Sequence, residues 1–245
     1  MKRLAQTGGL SWLTLRPIAH RGLHDMADED PQKPENSLAA FQAAVENNYA
    51  IECDLQCSAD SVPVVFHDAT LDRLTGESGP VRSRTAAELA RIAILTSGQT
   101  IPALSDVLVR IAGAVPLIIE LKSIAGQNDG FAPAVADELR DYSGPVAVMS
   151  FDADLAAAMM AAAPNLPVGL VAKGGLATTI RHLTAILRHG FHFVSYRLID
   201  LPTPAPLIAR WVLRLPLICW TARTPQEIRK AKRWTDQMTF GHIRP

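Results

Sequence analysis

The chain has 245 residues, with 24 Lys and Arg against 24 Asp and Glu, a formal net charge of +0, 48% hydrophobic residues and 20% charged ones. Proteins that hold nucleic acid by neutralising phosphates carry a basic excess or patch, and disordered chains are poorer in apolar residues, so a folded protein with an apolar core and no nucleic-acid partner is expected. No apolar run approaches the ~20 residues that cross a bilayer, and Leu4 to Leu15 is broken by Gln6, Thr7, Gly8, Gly9 and Ser11, which leaves no signal-peptide core. These features predict a cytoplasmic protein without stable membrane insertion, its oligomeric state open. No repeat or linker divides the chain, and the length suits one α/β barrel domain over residues 1–245.

Short β-like runs alternate with helix-like ones, the pattern of a parallel α/β fold. Eight core strands are predicted at 17–22, 51–56, 117–122, 146–151, 168–173, 191–196, 217–222 and 238–242. Between them, Leu38, Phe41 and Val45, then Leu104, Val107, Leu108 and Ile111, recur at helical spacing. Thr224-Pro225-Gln226-Glu227 reads as a capping box with proline at the first helical position, and Gly113 and Gly190 stand where helices should end. The fold class predicted is a TIM-type (β/α)8 barrel with a short β-hairpin extension after the second strand. That hairpin is residues 63–68, which follow strand 51–56 too closely for a parallel crossover. With Asp60-Ser61 as a two-residue turn, paired residue numbers sum to 121 and His67 faces Asp54.

Strands place charge with period two. Glu52 and Asp54 share one face of their strand, Glu120 and Lys122 one face of theirs, each pair inside apolar sequence where an unpaired charge would be costly. Three carboxylates converging at a barrel mouth make an oxygen-lined site of the kind that Mg²⁺ or Ca²⁺ occupies. A structural salt-bridge cluster, Lys122 with Glu120 or Arg21 with Asp54, accounts for the same residues equally well on spacing alone. His20-Arg21-Gly22 ends the first strand on the same rim: a proton carrier, a guanidinium fork matched to phosphate, and a residue that lets the backbone turn. Cys53 falls on the opposite strand face, as a packing residue. Cys53 and Cys57, four apart on a strand, stand ~13 Å apart at ~3.3 Å per residue, which excludes a disulfide.

Ala19-His20-Arg21-Gly22, Pro34-Glu35-Asn36-Ser37, Ile51-Glu52-Cys53-Asp54, Val65-Phe66-His67-Asp68 and Ile119-Glu120-Leu121-Lys122 together resemble the glycerophosphodiester phosphodiesterase family. The resemblance continues through residues 71–76, Ser150-Phe151 and Cys219-Trp220-Thr221, and is greatest to the short bacterial cytoplasmic enzymes. It implies metal-dependent hydrolysis of small-molecule glycerophosphodiesters to glycerol 3-phosphate and an alcohol. It further implies that Glu52, Asp54 and Glu120 hold one divalent cation, Mg²⁺ or Ca²⁺, that His20 and His67 are the acid and base, and that Arg21 and Lys122 hold the phosphate. Trp220 matches the aromatic near the substrate glycerol. Glu35 and Asn36 match a motif expected to cap the following helix and order the neighbouring loop, one layer behind the reacting groups.

Three departures from the family pattern stand out: a longer, acidic loop at 23–33, Ser61 in place of a turn glycine, and Thr239-Phe240-Gly241-His242 in place of a Thr-Asp-x-Pro ending. The competing readings are a non-catalytic phosphodiester sensor on the same fold and a metal-dependent barrel lyase or aldolase. The lyase leaves two histidines gathered with Arg21 and Lys122 unexplained. Outside the site, Lys173-Gly174-Gly175 has the form of a phosphate-cradling turn but is expected to be a plain connecting loop. His24 and the basic last helix are expected to be solvated, and 156–163 a close-packed barrel helix.

Overall fold

The computed structural model describes residues 9–24 and 32–245. Along the chain run α1 (Trp12–Leu15), β1 (Ile18–Ala19), α2 (Leu38–Glu46), β2 (Ala50–Cys57), β3 (Pro63–Val65), α3 (Ala86–Leu89), α4 (Leu104–Ile111), β4 (Leu117–Leu121), α5 (Phe131–Leu139), β5 (Val146–Ser150), α6 (Ala153–Ala162), β6 (Val168–Ala172), α7 (Thr179–His189), β7 (Phe193–Arg197), α8 (Pro204–Trp211), β8 (Leu217–Ala222), α9 (Pro225–Trp234) and β9 (Gln237–Phe240). Parallel pairing joins β1, β2, β4, β5, β6, β7, β8 and β9 in that order, and β9 pairs back to β1, closing an eight-stranded barrel. The predicted (β/α)8 barrel is the observed fold. Among the described residues no helix is long and apolar enough to cross a membrane.

Alternation along each strand divides the apolar residues into two cores. Ile18, Ala50, Ile118, Ala147, Phe193 and Ile218 fill the barrel interior, and Leu13 of α1, fully buried, closes its N-terminal mouth. Burying that leucine contributes about 2 kcal/mol. The other strand faces, among them Ile51, Cys53, Leu55 and Ile119, pack under Phe41, Ala44, Leu104 and Val107 of the surrounding helices. Phe193 needs room at the barrel centre: a Cβ on Gly169 of the neighbouring strand would stand 2.5 Å from its ring.

Strand ends depart from the sequence reading where backbone geometry intervenes. The first strand is only Ile18–Ala19, because Arg21 and Gly22 turn with φ of 57° and 80°. The sixth begins two residues later than expected, at Phe193, and the eighth is Gln237–Phe240. Gly190 ends α7 at φ 74°, while α4 closes on Ala112, itself left-handed, just before Gly113. The box at α9 is half formed: Thr224 Oγ1 accepts from Glu227 N at 3.2 Å, but the Glu227 carboxylate accepts from Arg223 N at 2.8 Å.

Strand β3 folds back antiparallel on β2, as expected, but one residue out of the expected register. The pairs are Leu55 with Val65, Gln56 with Val64 and Cys57 with Pro63, so the numbers sum to 120. The reason is a three-residue loop: Ser58 N donates to Val62 O at 3.0 Å, Ser61 N to Ser58 O at 3.1 Å, and Ser61 takes φ 64°. Phe66, not His67, therefore stands opposite Asp54, donating its N–H to Asp54 O at 3.0 Å. Beyond that rung the chain leaves the sheet. It builds a satellite core from Phe66, Leu71, Leu74, Val81, Leu89 and Ile94 before α4, and His67 reaches the barrel mouth from this segment.

Candidate active site

Asp54 and Glu120 are aligned partners on β2 and β4, and Glu52 lies one inward position below Asp54. All three are buried, and one oxygen of each lies within 4.8 Å of the others. Such a cluster requires compensation. Lys122 Nζ stands 2.8 Å from Asp54 Oδ1 and also contacts Glu120 Oε1; Arg21 Nε stands 3.2 Å from Asp54 Oδ2. Asn36 Nδ2 donates to Asp54 Oδ2 at 2.9 Å, and Arg21 N to Glu52 Oε2 at 3.0 Å.

Compensation is uneven. Burial alone would raise Asp54, but Lys122 and Arg21 outweigh it and hold its carboxyl well below the usual range. Burial, with Asp54 and Glu120 nearby, pushes Glu52 well above that range, and burial and Asp54 push Glu120 up as well. Three carboxylates against two cations leave a deficit of positive charge, and an all-oxygen donor set of this kind fits a hard divalent cation.

The turn that delivers His20 and Arg21 depends on Gly22. At φ 80°, a Cβ there would lie 2.9 Å from Ala40 C, Ala40 Cβ and Phe41 Cδ1 at the start of α2, so only glycine lets the rim pack against the helix. Asn36, also left-handed at φ 58°, donates its backbone N–H to Arg21 O at 2.9 Å. The cap of α2 is Ser37, whose Oγ accepts from Ala40 N at 3.1 Å. Glu35 and Asn36 therefore do not cap the helix, contrary to expectation; they hold Arg21 and Asp54.

Glu35 also accepts from Arg73, whose Nη2 stands 2.7 Å from Glu35 Oε1 and whose Nε stands 2.6 Å from Asp68 Oδ2. Asp68 Oδ1 in turn lies 2.5 Å from His67 Nδ1. A continuous chain of ion pairs, Arg21 to Glu35 to Arg73 to Asp68, ending in the hydrogen bond between Asp68 and His67, thus links one side of the mouth to the other. Sequence reasoning passed over Arg73 and Asp68 as site residues, although both lie in quoted motif segments. Burial raises Asp68, but Arg73 and His67 outweigh it and hold its carboxyl at about 2. With Nδ1 engaged by Asp68, Nε2 is the His67 nitrogen free to exchange a proton. Burial lowers His67, partly offset by Asp54. Burial and then Arg21 lower His20 well below the usual histidine value. In both, burial favours the neutral imidazole over the charged form.

His20, Arg21, Glu52, Asp54, His67, Glu120, Lys122 and Trp220 all line one cleft of ≈ 380 Å³ at the C-terminal mouth, with Met149, Phe151 and Thr239. Glu35 and Asn36 stand behind it. Trp220 meets Phe151 edge to face at 5.4 Å, and its Nε1 is buried with no hydrogen-bond partner among the described residues. A larger hollow of ≈ 710 Å³ beside β1 and β9, bordered by His24 and His242, contains none of the three carboxylates. The turn after β6 is no phosphate cradle, since Gly174 N already donates to Asp200 Oδ2 at 2.6 Å. Cys53, Cys57 and Cys219 are buried and unpaired. Of the acidic loop 23–33, residues 25–31 lie outside the described part of the chain.

Comparison with known proteins agrees with this geometry. The model of the glycerophosphoryl diester phosphodiesterase family matches residues 20–237. The Bacillus subtilis protein YhdW is 31% identical over 189 residues, 74% of this chain and 75% of its own. A glycerophosphodiester phosphodiesterase of Caldanaerobacter subterraneus is 31% identical over 169 residues, 65% of this chain and 67% of its own. Among solved structures, an Oleispira antarctica phosphodiesterase in complex with the product sn-glycerol-3-phosphate superposes with a TM-score of 0.79 at 20% identity, over 94% of this chain and 95% of that one. The Thermotoga maritima glycerophosphodiester phosphodiesterase does so at 0.74 and 23%, over 92% and 93%. The last two establish likeness of fold; the family match over most of the length, on a barrel whose mouth gathers the motif residues, establishes that this chain belongs to the glycerophosphoryl diester phosphodiesterase family of enzymes.

Proposed function

We propose that the protein hydrolyses glycerophosphodiesters to glycerol 3-phosphate and an alcohol, with one divalent cation, Mg²⁺ or Ca²⁺, held by Glu52, Asp54 and Glu120. The observation that carries this reading is the convergence of two imidazoles, Arg21 and Lys122 on the same cleft as three under-compensated carboxylates. A phosphodiester anion resists attack, so the site must neutralise its oxygens and move protons on both sides of phosphorus. The cation, when bound, supplies Lewis-acid neutralisation of phosphoryl charge. Arg21 offers a planar fork and Lys122 a point charge for the remaining oxygens, and both stabilise the charge that develops during displacement. One of His20 and His67, as the neutral imidazole, deprotonates the nucleophile, and the other, having taken up a proton to become the imidazolium, gives that proton to the leaving alcohol. Asp68 fixes which His67 nitrogen takes part. Trp220 borders the glycerol. The nucleophile is water or the adjacent glycerol hydroxyl; the second route passes through a cyclic phosphate, detectable by phosphorus NMR during turnover.

The same reading takes residues 1–245 as one domain acting on a small-molecule substrate in the cytoplasm, a reducing setting that suits three unpaired cysteines. The test is to incubate the protein with glycerophosphocholine and glycerophosphoglycerol plus Mg²⁺ or Ca²⁺, with and without chelator, and to assay glycerol 3-phosphate. Product that disappears on chelation and returns with added cation is expected. Binding without product on every head group would favour the sensor, and product surviving exhaustive chelation would remove the metal from the account.

A further inference from the structure

The head group of a bound diester must lie outward of the phosphate, past the aromatic pair Phe151 and Trp220 that borders the cleft. Exposed aromatic faces at a mouth are ready acceptors for an organic cation, through attraction to the ring quadrupole. Here that role is taken by the protein itself. Lys173, at the C-terminal end of β6, holds Nζ 5.7 Å from the Phe151 ring centroid, and Phe151 is 43% exposed. Lys173 has no ion-pair partner among the described residues.

Lys173 is set among other charges. Arg223, three residues beyond Trp220, also lacks an acidic side-chain partner for its guanidinium among the described residues, and its charge reaches both His20 and His242. Of the nearby acids, Asp200 is neutralised by an arginine, whereas Asp152 beside Phe151 and Glu227 near Arg223 N are held by neutral donors and keep their charge. Asp200 is held by Arg197 at 2.7 Å and 2.9 Å and by Gly174 N. Asp152 caps α6 and accepts from Ser123 Oγ at 2.5 Å.

We propose that Lys173, seated over Phe151, makes the site favour glycerophosphodiesters whose alcohol carries a further negative charge and disfavour those with a cationic head group. This specificity rests on the phosphodiesterase reading above. Two unit charges ~6 Å apart in water change affinity about threefold, with opposite sign for anionic and cationic head groups. Removing Lys173 should therefore lower the ratio of the two by roughly tenfold.

The test compares kcat/KM for three diesters: glycerophosphocholine with a cationic head, glycerophosphoglycerol with a neutral one, and bis(glycerophospho)glycerol with a second anionic phosphodiester. Wild type should prefer them in the order anionic, neutral, cationic, and the preference should shrink at high salt. Lys173→Met should lower the anionic-to-cationic ratio roughly tenfold and Lys173→Glu should lower it further; Lys173→Arg should restore it. A ratio that stays within about twofold of wild type in both charge-altering variants, while glycerophosphoglycerol is still hydrolysed, overturns this inference alone. If wild type hydrolyses none of the three, the phosphodiesterase reading fails and the inference falls with it.

Discussion

Replacing Gly22 by alanine probes the link between backbone geometry and the site more sharply than any change to a reacting group. The new methyl would lie 2.9 Å from Ala40 C, which is backbone and cannot swing aside, and from Phe41 Cδ1 in the core. The left-handed backbone, φ 80°, costs a non-glycine residue about 1–2 kcal/mol. Overpacking against a fixed helix adds about 1–3 kcal/mol. The sum, about 2–5 kcal/mol, corresponds to a Tm roughly 5–20 °C lower for a chain of this size. The same turn carries His20 and Arg21, and Gly22 N donates to Ala19 O at 3.3 Å and Glu52 O at 3.2 Å. Any relief of the clash must therefore move both side chains, and misplacement by ~1 Å can cost up to about 100-fold in turnover. The assay is thermal unfolding and hydrolysis of Gly22→Ala beside Gly76→Ala, where nothing lies within 4 Å of the added Cβ. Gly76→Ala should melt within about 2 °C of wild type. If Gly22→Ala does the same, the close-approach argument is refuted.

Three further predictions follow from the same geometry. Asp68→Asn weakens the hydrogen bond that, with Asp54, raises His67, so His67 should titrate lower still and lose its fixed tautomer; the limb of the kcat/KM profile that reports His67 should move to lower pH and kcat should fall at least tenfold, whereas an unmoved profile with normal kcat would separate Asp68 from catalysis. Asn36→Ala strips Asp54 Oδ2 of a neutral donor and places alanine at φ 58°, a loss of about 2–4 kcal/mol by urea unfolding; a loss below about 0.5 kcal/mol would contradict the contact. Glu52 and Glu120 have folded values raised above their unfolded ones, so their contribution is fully present below the unfolded carboxyl range, about pH 4, and is lost as pH rises through the raised values. A divalent cation takes the charged forms, so the Tm gain on adding Ca²⁺ or Mg²⁺ should grow from about pH 5 to pH 8; a gain independent of pH would place the cation elsewhere.

How much of this was legible in the sequence depends on the range over which each signal acts. Period-two alternation put Glu52, Asp54, Glu120 and Lys122 on inward faces, and the closed barrel brought those faces together. Turn chemistry is equally local, yet a single residue decided the hairpin register: Ser61 adopts the left-handed position of a three-residue loop, and the shift exchanged Phe66 for His67 opposite Asp54. His67 still reached the cleft because it lies beyond the last rung, where strand register no longer governs it. The pairing of Glu35 with Arg73, 38 residues apart, has no local signature at all. It exists because the satellite core of Phe66, Leu71 and Leu74 folds that segment back over the rim. The helix cap went to Ser37 rather than its neighbours because a hydroxyl one residue later meets the Ala40 N–H, freeing Glu35 and Asn36 to bind the site.

The central claim is that two histidines on one cleft move the protons of phosphodiester hydrolysis. Its most direct test is the rate of glycerol 3-phosphate release from glycerophosphoglycerol, in saturating Mg²⁺ or Ca²⁺, by wild type, His20→Ala and His67→Ala of matched thermal stability. Each substitution should cut turnover by about 100-fold or more; near-normal turnover in either folded variant would contradict the assignment.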